Sequence, residues 1–326
     1  MAEQTCNTFE SDLGRVRLGV SACLLGAQVR FDGGHKQNRF IIDELGEHFD
    51  FVPMCPEVAI GMGTPRPAIR LVGDVDAPRA VGSRDPGLDV TEPLRRYSAD
   101  AARRLGGLCG FIFKKDSPTC GMQRVKVYNG SGMPQADGVG IFAREVMQAN
   151  PLLPVEEEGR LNDPVLRENF VSRVYVYARW QALQRRGLSK KGLIDFHARH
   201  KLLLMAHSPA AYKELGRMLA RLDGAQLETL AGRYIAHVMR ALGTRASRKR
   251  HANVLQHLLG YLRRHVDGTS RGDLVEVIDA YRLGLVPLVV PLTLLQHHFR
   301  SNPHPYIAQQ VYMNPHPRKL MLRNTL

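Results

Sequence analysis

Two folds are predicted in one chain: an α/β domain with a mainly parallel sheet over residues 1–154, and an all-α domain over 155–326. Three observations predict this. Short apolar runs alternate with helix-spaced stretches in the first 150 residues, and almost everything after residue 164 has helical periodicity. Charge divides at the same place. Residues 1–154 hold 18 basic and 18 acidic side chains, so 155–326 keep 27 of the 45 Lys+Arg and 13 of the 31 Asp+Glu, and with them the whole net charge of +14.

In chain order, VRLGVS (16–21), FDFVPM (49–54) and GFIF (110–113) read as buried strands, being short, apolar and bounded by turn residues. KQNRFIIDELGEH and TEPLRRYSADAARRLGGL carry helical spacing between them; in the latter Leu94, Tyr97, Ala101 and Leu105 share a face, and Thr91, Glu92 and Pro93 make a helix start. Residues 61–90, rich in Gly, Pro and Asp, read as loop with one short strand, AIRLV. GVGIFAREVMQANP turns into a further helix. This alternation is Rossmann-like. Prolines and an acidic run in NPLLPVEEEGRLNDP (150–164) mark the boundary. Six helices follow: LRENFVSRVYVYARWQALQ, LIDFHARHKLLLMAH, PAAYKELGRMLARL, LETLAGRYIAHVMRAL, KRHANVLQHLLGYLRRH and GDLVEVIDAYRLG, joined by short turns as in a bundle. Prolines keep SNPHPYIAQQVYMNPHP from being one regular helix.

No run of eighteen apolar residues occurs, which argues against a membrane span. The first twenty residues lack a basic stretch followed by an apolar one, so cytoplasmic residence is the expectation. Five cysteines, an odd number, then point to metal binding or catalysis rather than a disulfide framework. The basic second half points to a polyanion, with nucleic acid the leading candidate.

Three times an apolar run ends and a cysteine follows within a few residues: Cys23 after VRLGVS, Cys55 after FDFVPM, Cys120 after GFIF. In parallel α/β sheets ligands bind at the carboxyl ends of the strands, so three thiols distant in sequence are expected at one rim. Three soft ligands without a fourth suit an iron–sulfur cluster with one open iron, or a catalytic zinc with one open position. Cys6 and Cys109 read as incidental or structural. Glu57 and Ser117 sit two and three residues from Cys55 and Cys120, in turns stiffened by Pro56 and Pro118. A partly desolvated carboxyl group there is suited to trade protons, and a serine hydroxyl to bond a substrate carbonyl or water. In VRFDGGHK, Arg30, His35 and Lys36 are candidates to meet a phosphate or base edge, with Asp32 orienting Arg30; Lys114 and Lys115 face the same rim. In the helical half, Arg248, Lys249, Arg250, Arg263 and Arg264 flank an apolar stripe of Val254, Leu258 and Leu262 and are candidate RNA phosphate contacts. His197 and His200, like Trp180, are more readily read as packing groups.

SACLLGAQVRFDGGHK, MCPEVAIGMGTPRPAIRL and FKKDSPTCG resemble the motifs of the thiouracil desulfidase family over residues 14–150. RHKLLLMAHSP, KRHANVLQHLLGYLRR, GLVPLVVPLTLLQHH and NPHPY resemble a YbgA-type domain over 165–317. The fusion is similar to bacterial desulfidases acting on 4-thiouridine in transfer RNA. The resemblance implies a [4Fe–4S] cluster held by Cys23, Cys55 and Cys120, with Glu57 and Ser117 catalytic. It further implies that a thiocarbonyl sulfur meets the open iron and leaves as sulfide, turning 4-thiouridine into uridine. The expected partner is therefore tRNA containing 4-thiouridine, with neither DNA nor membrane. Desulfuration of free thiouracil or a thionucleoside is the rival enzymatic reading. A nucleic-acid-binding iron–sulfur redox sensor is the non-enzymatic one.

Overall fold

The computed structural model describes residues 13–221 and 227–324. It divides into two compact units, Arg15–Asp163 and the residues from 164 onward. The division falls nine residues beyond the expected 154/155 boundary. The reason is a strand pairing: the acidic run contributes an edge strand to the first unit, Phe111 lying opposite Val155 and Phe113 opposite Glu157.

The first unit has two four-stranded sheets. Its elements are β1 (Val16–Ser21), β2 (Phe49–Met54), the one-turn helix α1 (Pro56–Ala59), β3 (Ile69–Val72), β4 (Arg79–Gly82), α2 (Thr91–Arg103), β5 (Gly110–Phe113), β6 (Val125–Tyr128), β7 (Pro134–Gly138), α3 (Ile141–Ala149) and β8 (Val155–Glu157). The first sheet runs β2-β1-β5-β8 and is parallel throughout. All four residues of β5 are buried, which is why that strand is apolar without alternation. Gly19 lets β1 and β5 approach: a Cβ there would stand 2.2 Å from the Phe111 ring. Phe111 and Phe113 stack at 4.3 Å and meet the edge of Phe142 on α3, fastening that helix to the sheet.

The second sheet, β4-β3-β6-β7, was not foreseen. Only β3–β6 is parallel; β3–β4 and β6–β7 are antiparallel. Within 61–90 the expected strand is β3, β4 is added beside it, and the remainder is turn and loop. Its core of Leu71, Ala80, Val90, Leu94, Val125, Val127 and Ile141 mixes strand and helix residues, so no single segment carries an obvious pattern. The helix expected over KQNRFIIDELGEH shrinks to Phe40–Leu45. Residues before it are drawn out because Lys36 and Asn38 donate their N–H groups to the Cys23 and Leu24 carbonyls, both at 2.9 Å.

The second unit is helical: α4 (Pro164–Arg185), α5 (Lys190–His207), α6 (Pro209–Ala220), α7 (Leu227–Gly243), α8 (Arg248–Leu262), α9 (Gly268–Leu283), α10 (Val289–Ser301) and α11 (Pro305–Ala308). Ser189, Ser208, Ser247 and Asp267 cap α5, α6, α8 and α9, each accepting an N–H of the first turn. Helix α10 is not among the six expected; its one proline, Pro291, falls in the first turn, where proline is tolerated. Val254, Leu258 and Leu262 are fully buried, and Trp180 packs on Phe196 and Tyr234. No described helix is long and apolar enough to cross a membrane.

Candidate active site

β1, β2 and β5 are neighbours pointing the same way, with Ser21 opposite Met54 and Val20 opposite Ile112. Their carboxyl ends therefore open onto one edge of the sheet. Cys23 follows β1 in a short helical turn, Ala22–Leu25. Cys55 leaves β2 in extended conformation and precedes α1, which carries Glu57 in its first turn. After β5 the chain reverses through Asp116, whose φ of 60° is left-handed, a conformation Asp tolerates better than most residues. Ser117 Oγ then accepts the N–H groups of Thr119 (3.3 Å) and Cys120 (3.1 Å), closing the SPTC turn. Gly121 completes it, for a Cβ there would stand 2.4 Å from the Val125 side chain.

A cavity of about 420 Å³ lies at this edge, and Cys23, Cys55, Cys120, Glu57 and Ser117 all line it. Arg30, Lys36, Lys114 and Lys115 line it too. Asp32 and His35 do not. Asp32 meets Arg30 at 3.3 Å and accepts the Gly34 N–H, which hold its carboxyl below the usual range. Exposed His35 accepts the Gln37 N–H at 3.2 Å. Lys114 is not a free cation: its ammonium pairs with Glu158, and Glu158 also accepts the Lys115 N–H at 2.7 Å. Cys109 is buried at the start of β5, and Cys6 lies outside the described residues.

Burial raises the Cys120 thiol to about 12 and the Cys23 thiol to about 11, and pushes Cys55 in the same direction. Nearby Lys114 opposes the shift at Cys23, and Cys23 and Cys55 raise it through mutual repulsion. Left to themselves these thiols stay protonated at neutral pH and are poor nucleophiles. Only a bound cation makes three thiolates stable in such a place. Among the described residues no three ligating side chains stand close enough to hold a single metal ion. Three thiols lining one cavity are a soft donor set that fits an iron–sulfur cluster.

Two further residues complete the site. Arg66, 2% exposed at its side chain, donates to Glu57 Oε2 through Nε (2.9 Å) and Nη2, and also to the carbonyls of Gly63 (3.0 Å) and Val29 (2.9 Å). Thr119 Oγ1 donates to Glu57 Oε1 at 2.8 Å and lies 3.0 Å from Ser117 Oγ and 3.6 Å from Cys120 Sγ. Neither was singled out from the sequence. Thr119 sits inside the SPTC turn, where a hydroxyl between two noted residues was the available signal. Arg66 stands in a proline-flanked loop, and nothing local marks it as a partner of Glu57. Phe31, also lining the cavity and 42% exposed, carries the Arg30 guanidinium 5.3 Å from its ring centre.

Of the basic residues proposed for RNA, Arg248 and Lys249 are exposed at the start of α8, and Arg263 and Arg264 at its end. Fifteen residues separate the two sets by roughly 22 Å. Arg250 is partly withdrawn, donating to the His207 carbonyl at 2.7 Å. His197 and His200 are buried: His197 Nδ1 lies 3.1 Å from Tyr234 OH, and His200 Nδ1 donates to the Phe196 carbonyl at 2.7 Å.

Residues 18–158 match the family model for 2-thiouracil desulfurase, and residues 201–317 match that for DUF1722, a protein family of unknown function. The Uncharacterized protein YbgA of Escherichia coli (strain K12) is 34% identical over 154 residues, covering 47% of this chain and 91% of that protein. The solved [4Fe-4S]-dependent thiouracil desulfidase TudS is 32% identical, covering 48% of this chain and 99% of its own, with a TM-score of 0.39.

Proposed function

Because this chain belongs to the YbgA family and joins a 2-thiouracil desulfurase domain to a DUF1722 domain, we propose that it is a [4Fe–4S]-dependent desulfidase of 4-thiouridine in transfer RNA. The observation that carries this reading is the meeting of Cys23, Cys55, Cys120, Glu57 and Ser117 on one cavity. Cys23, Cys55 and Cys120 would hold the cluster. When bound, it would supply a Lewis-acidic iron suited to a soft thiocarbonyl sulfur.

The chain's own groups supply the rest. The conversion exchanges a thiocarbonyl sulfur for a water oxygen, with sulfide leaving and no net redox change. Glu57 is the base that takes the proton of the attacking water. Arg66 holds that carboxylate in place through Oε2, so its orientation is set before substrate arrives. Thr119 gives its hydroxyl proton to Glu57 Oε1, which leaves Ser117 to donate to Thr119 across 3.0 Å. Ser117, Thr119 and Glu57 thus form a path along which a proton moves between carboxylate and substrate. Phe31 offers a ring face to a pyrimidine, and Arg30, Lys36 and Lys115 give the mouth a cationic rim. A rim of that charge suits a base that arrives attached to phosphates. The net charge of +14 on the helical half supports the same choice of a polynucleotide over a free base.

The test is anaerobic reconstitution with iron and sulfide, followed by sulfide release from thiolated transfer RNA, free 4-thiouridine and 2-thiouracil. Transfer RNA should be turned over fastest, with affinity falling steeply as salt rises. Equal turnover of free thiobases, insensitive to salt, would move the substrate to small molecules. A cluster-loaded protein releasing no sulfide from any of them would remove the enzymatic reading.

A further inference from the structure

We infer that the helical unit carries a second site, separate from the thiol cavity, built to bind a phosphate group. It is a cavity of about 270 Å³ lined by the opening turns of α4 and α8, the end of α5, and residues of α9 and the carboxyl-terminal segment. Helices of 22 and 15 residues bring their amino-terminal turns to the same space, where partial positive charge gathers.

The side chains agree with that field. Arg245 and Arg248 line the cavity, are exposed, and have no acidic partner among the described residues. Arg323, 9% exposed, lies deeper: Nε donates to Glu168 at 3.1 Å and Nη1 to the Tyr312 carbonyl at 2.7 Å, while buried Nη2 has no partner. The one carboxylate lining it, Glu168, is already paired with Arg323 and has His316 Nε2 at 3.7 Å. Three guanidinium groups therefore face a space whose single anion is engaged.

His207 and His251 complete the lining, 3% and 7% exposed. His207 Nδ1 donates to the Thr244 carbonyl at 2.7 Å, and His251 Nδ1 lies 2.9 Å from Tyr312 OH. Each ring is oriented through Nδ1, and Nε2 has no partner among the described residues. Burial holds both below the usual imidazole range; at each, Arg323 adds to this and Glu168 opposes it. A tetrahedral oxyanion can accept from several donors at once, which two exposed guanidinium forks, a buried one and two helix starts supply. A metal cation does not suit the same place, for three arginines repel it and, among the described residues, no three ligands converge. The ligand is a phosphate group, free or as the end or backbone of RNA.

The test uses the full chain and inorganic phosphate in calorimetric titration, alongside 5′-phosphorylated and 5′-hydroxyl oligoribonucleotides of one sequence. The wild type should bind phosphate saturably. The exposed double variant Arg245→Ala/Arg248→Ala should weaken binding at least about tenfold, with an unchanged circular dichroism spectrum. His251→Gln, which keeps a polar group of similar size, should weaken it as well. Lys213→Ala/Arg217→Ala, which removes equal charge from α6, should change nothing. Preference for the 5′-phosphorylated oligonucleotide assigns the site to an RNA end; equal binding of both, lost in the arginine variant, assigns it to the backbone; binding of inorganic phosphate alone assigns it to a small ligand. Absence of saturable binding by all three probes, or equal losses in the α6 variant, would overturn the site. Sulfide release from the thiol cavity is a separate readout, so this inference and the desulfidase reading fail independently.

Discussion

Thr119 Oγ1 donates a 2.8 Å hydrogen bond to Glu57 Oε1, joining residues 62 positions apart in the chain. The contact couples the turn after β5 to the helix after β2. If it carries a proton during turnover, Thr119→Val, nearly isosteric, should lower kcat by roughly 10- to 100-fold, within the range general acid–base groups supply. Thr119→Ser keeps the hydroxyl and should recover most of that loss. Cluster absorbance should be the same in all three proteins. Equal activity of the valine variant would show that protons travel another way.

Arg66 should matter for stability as well as rate. Removing it leaves the Glu57 carboxylate, 14% exposed, without its counter-charge, a change that costs about 3–5 kcal/mol for a buried pair. Arg66→Met should lower the Tm of the first unit clearly, and the double variant with Glu57→Gln should recover part of the loss. Arg66→Lys should not restore the wild type, because one ammonium cannot reach Glu57 Oε2 and the Gly63 and Val29 carbonyls together.

Cysteine replacement separates ligands from bystanders. Cys23→Ala, Cys55→Ala and Cys120→Ala should each lose the visible absorbance of the reconstituted protein together with its activity. Cys109→Ala, a buried position in the strand core, should keep both and lose only some stability. A Cys109 variant without a cluster, or a Cys120 variant with one, would require a different ligand set.

The helical unit should be sensitive to acid. Burial depresses His197 to about 4 and His200 and His251 to about 3, from 6.5 when unfolded. Below pH 6.5 the unfolded chain therefore binds protons that the folded chain refuses. Stability is fully present above 6.5 and declines as pH falls toward 4, each histidine adding about 1.4 kcal/mol per pH unit to the slope. Glu168, held well below its ordinary value by His316 and Arg323 against the effect of burial, acts in the same direction at lower pH still. Thermal melts followed by circular dichroism between pH 7 and pH 4 should show the decline, and His200→Gln should flatten it.

Much of this molecule is written locally. The apolar runs of β1, β2 and β5, the capping residues Ser208 and Ser247, and the surplus of basic side chains after residue 154 are properties of short stretches. They announce a parallel sheet and a set of helices without reference to distant residues, and they raise the expectation of an anionic partner. The three cysteines were also legible, because parallel strands place whatever follows them on a common edge.

Other features depend on who meets whom. The second sheet is stabilised by a core shared among strands and helices between Leu71 and Ile141, each contributing too little to show a period. Lys36 and Asn38 lie in a stretch of helical composition, yet their N–H groups are taken by the carbonyls of Cys23 and Leu24. Arg66 becomes the counter-ion of Glu57, and Arg323 that of Glu168, only once folding has removed water and brought the opposite charges within reach. Pairing of that kind is a property of distance and dielectric, and neither is encoded in the order of neighbouring residues.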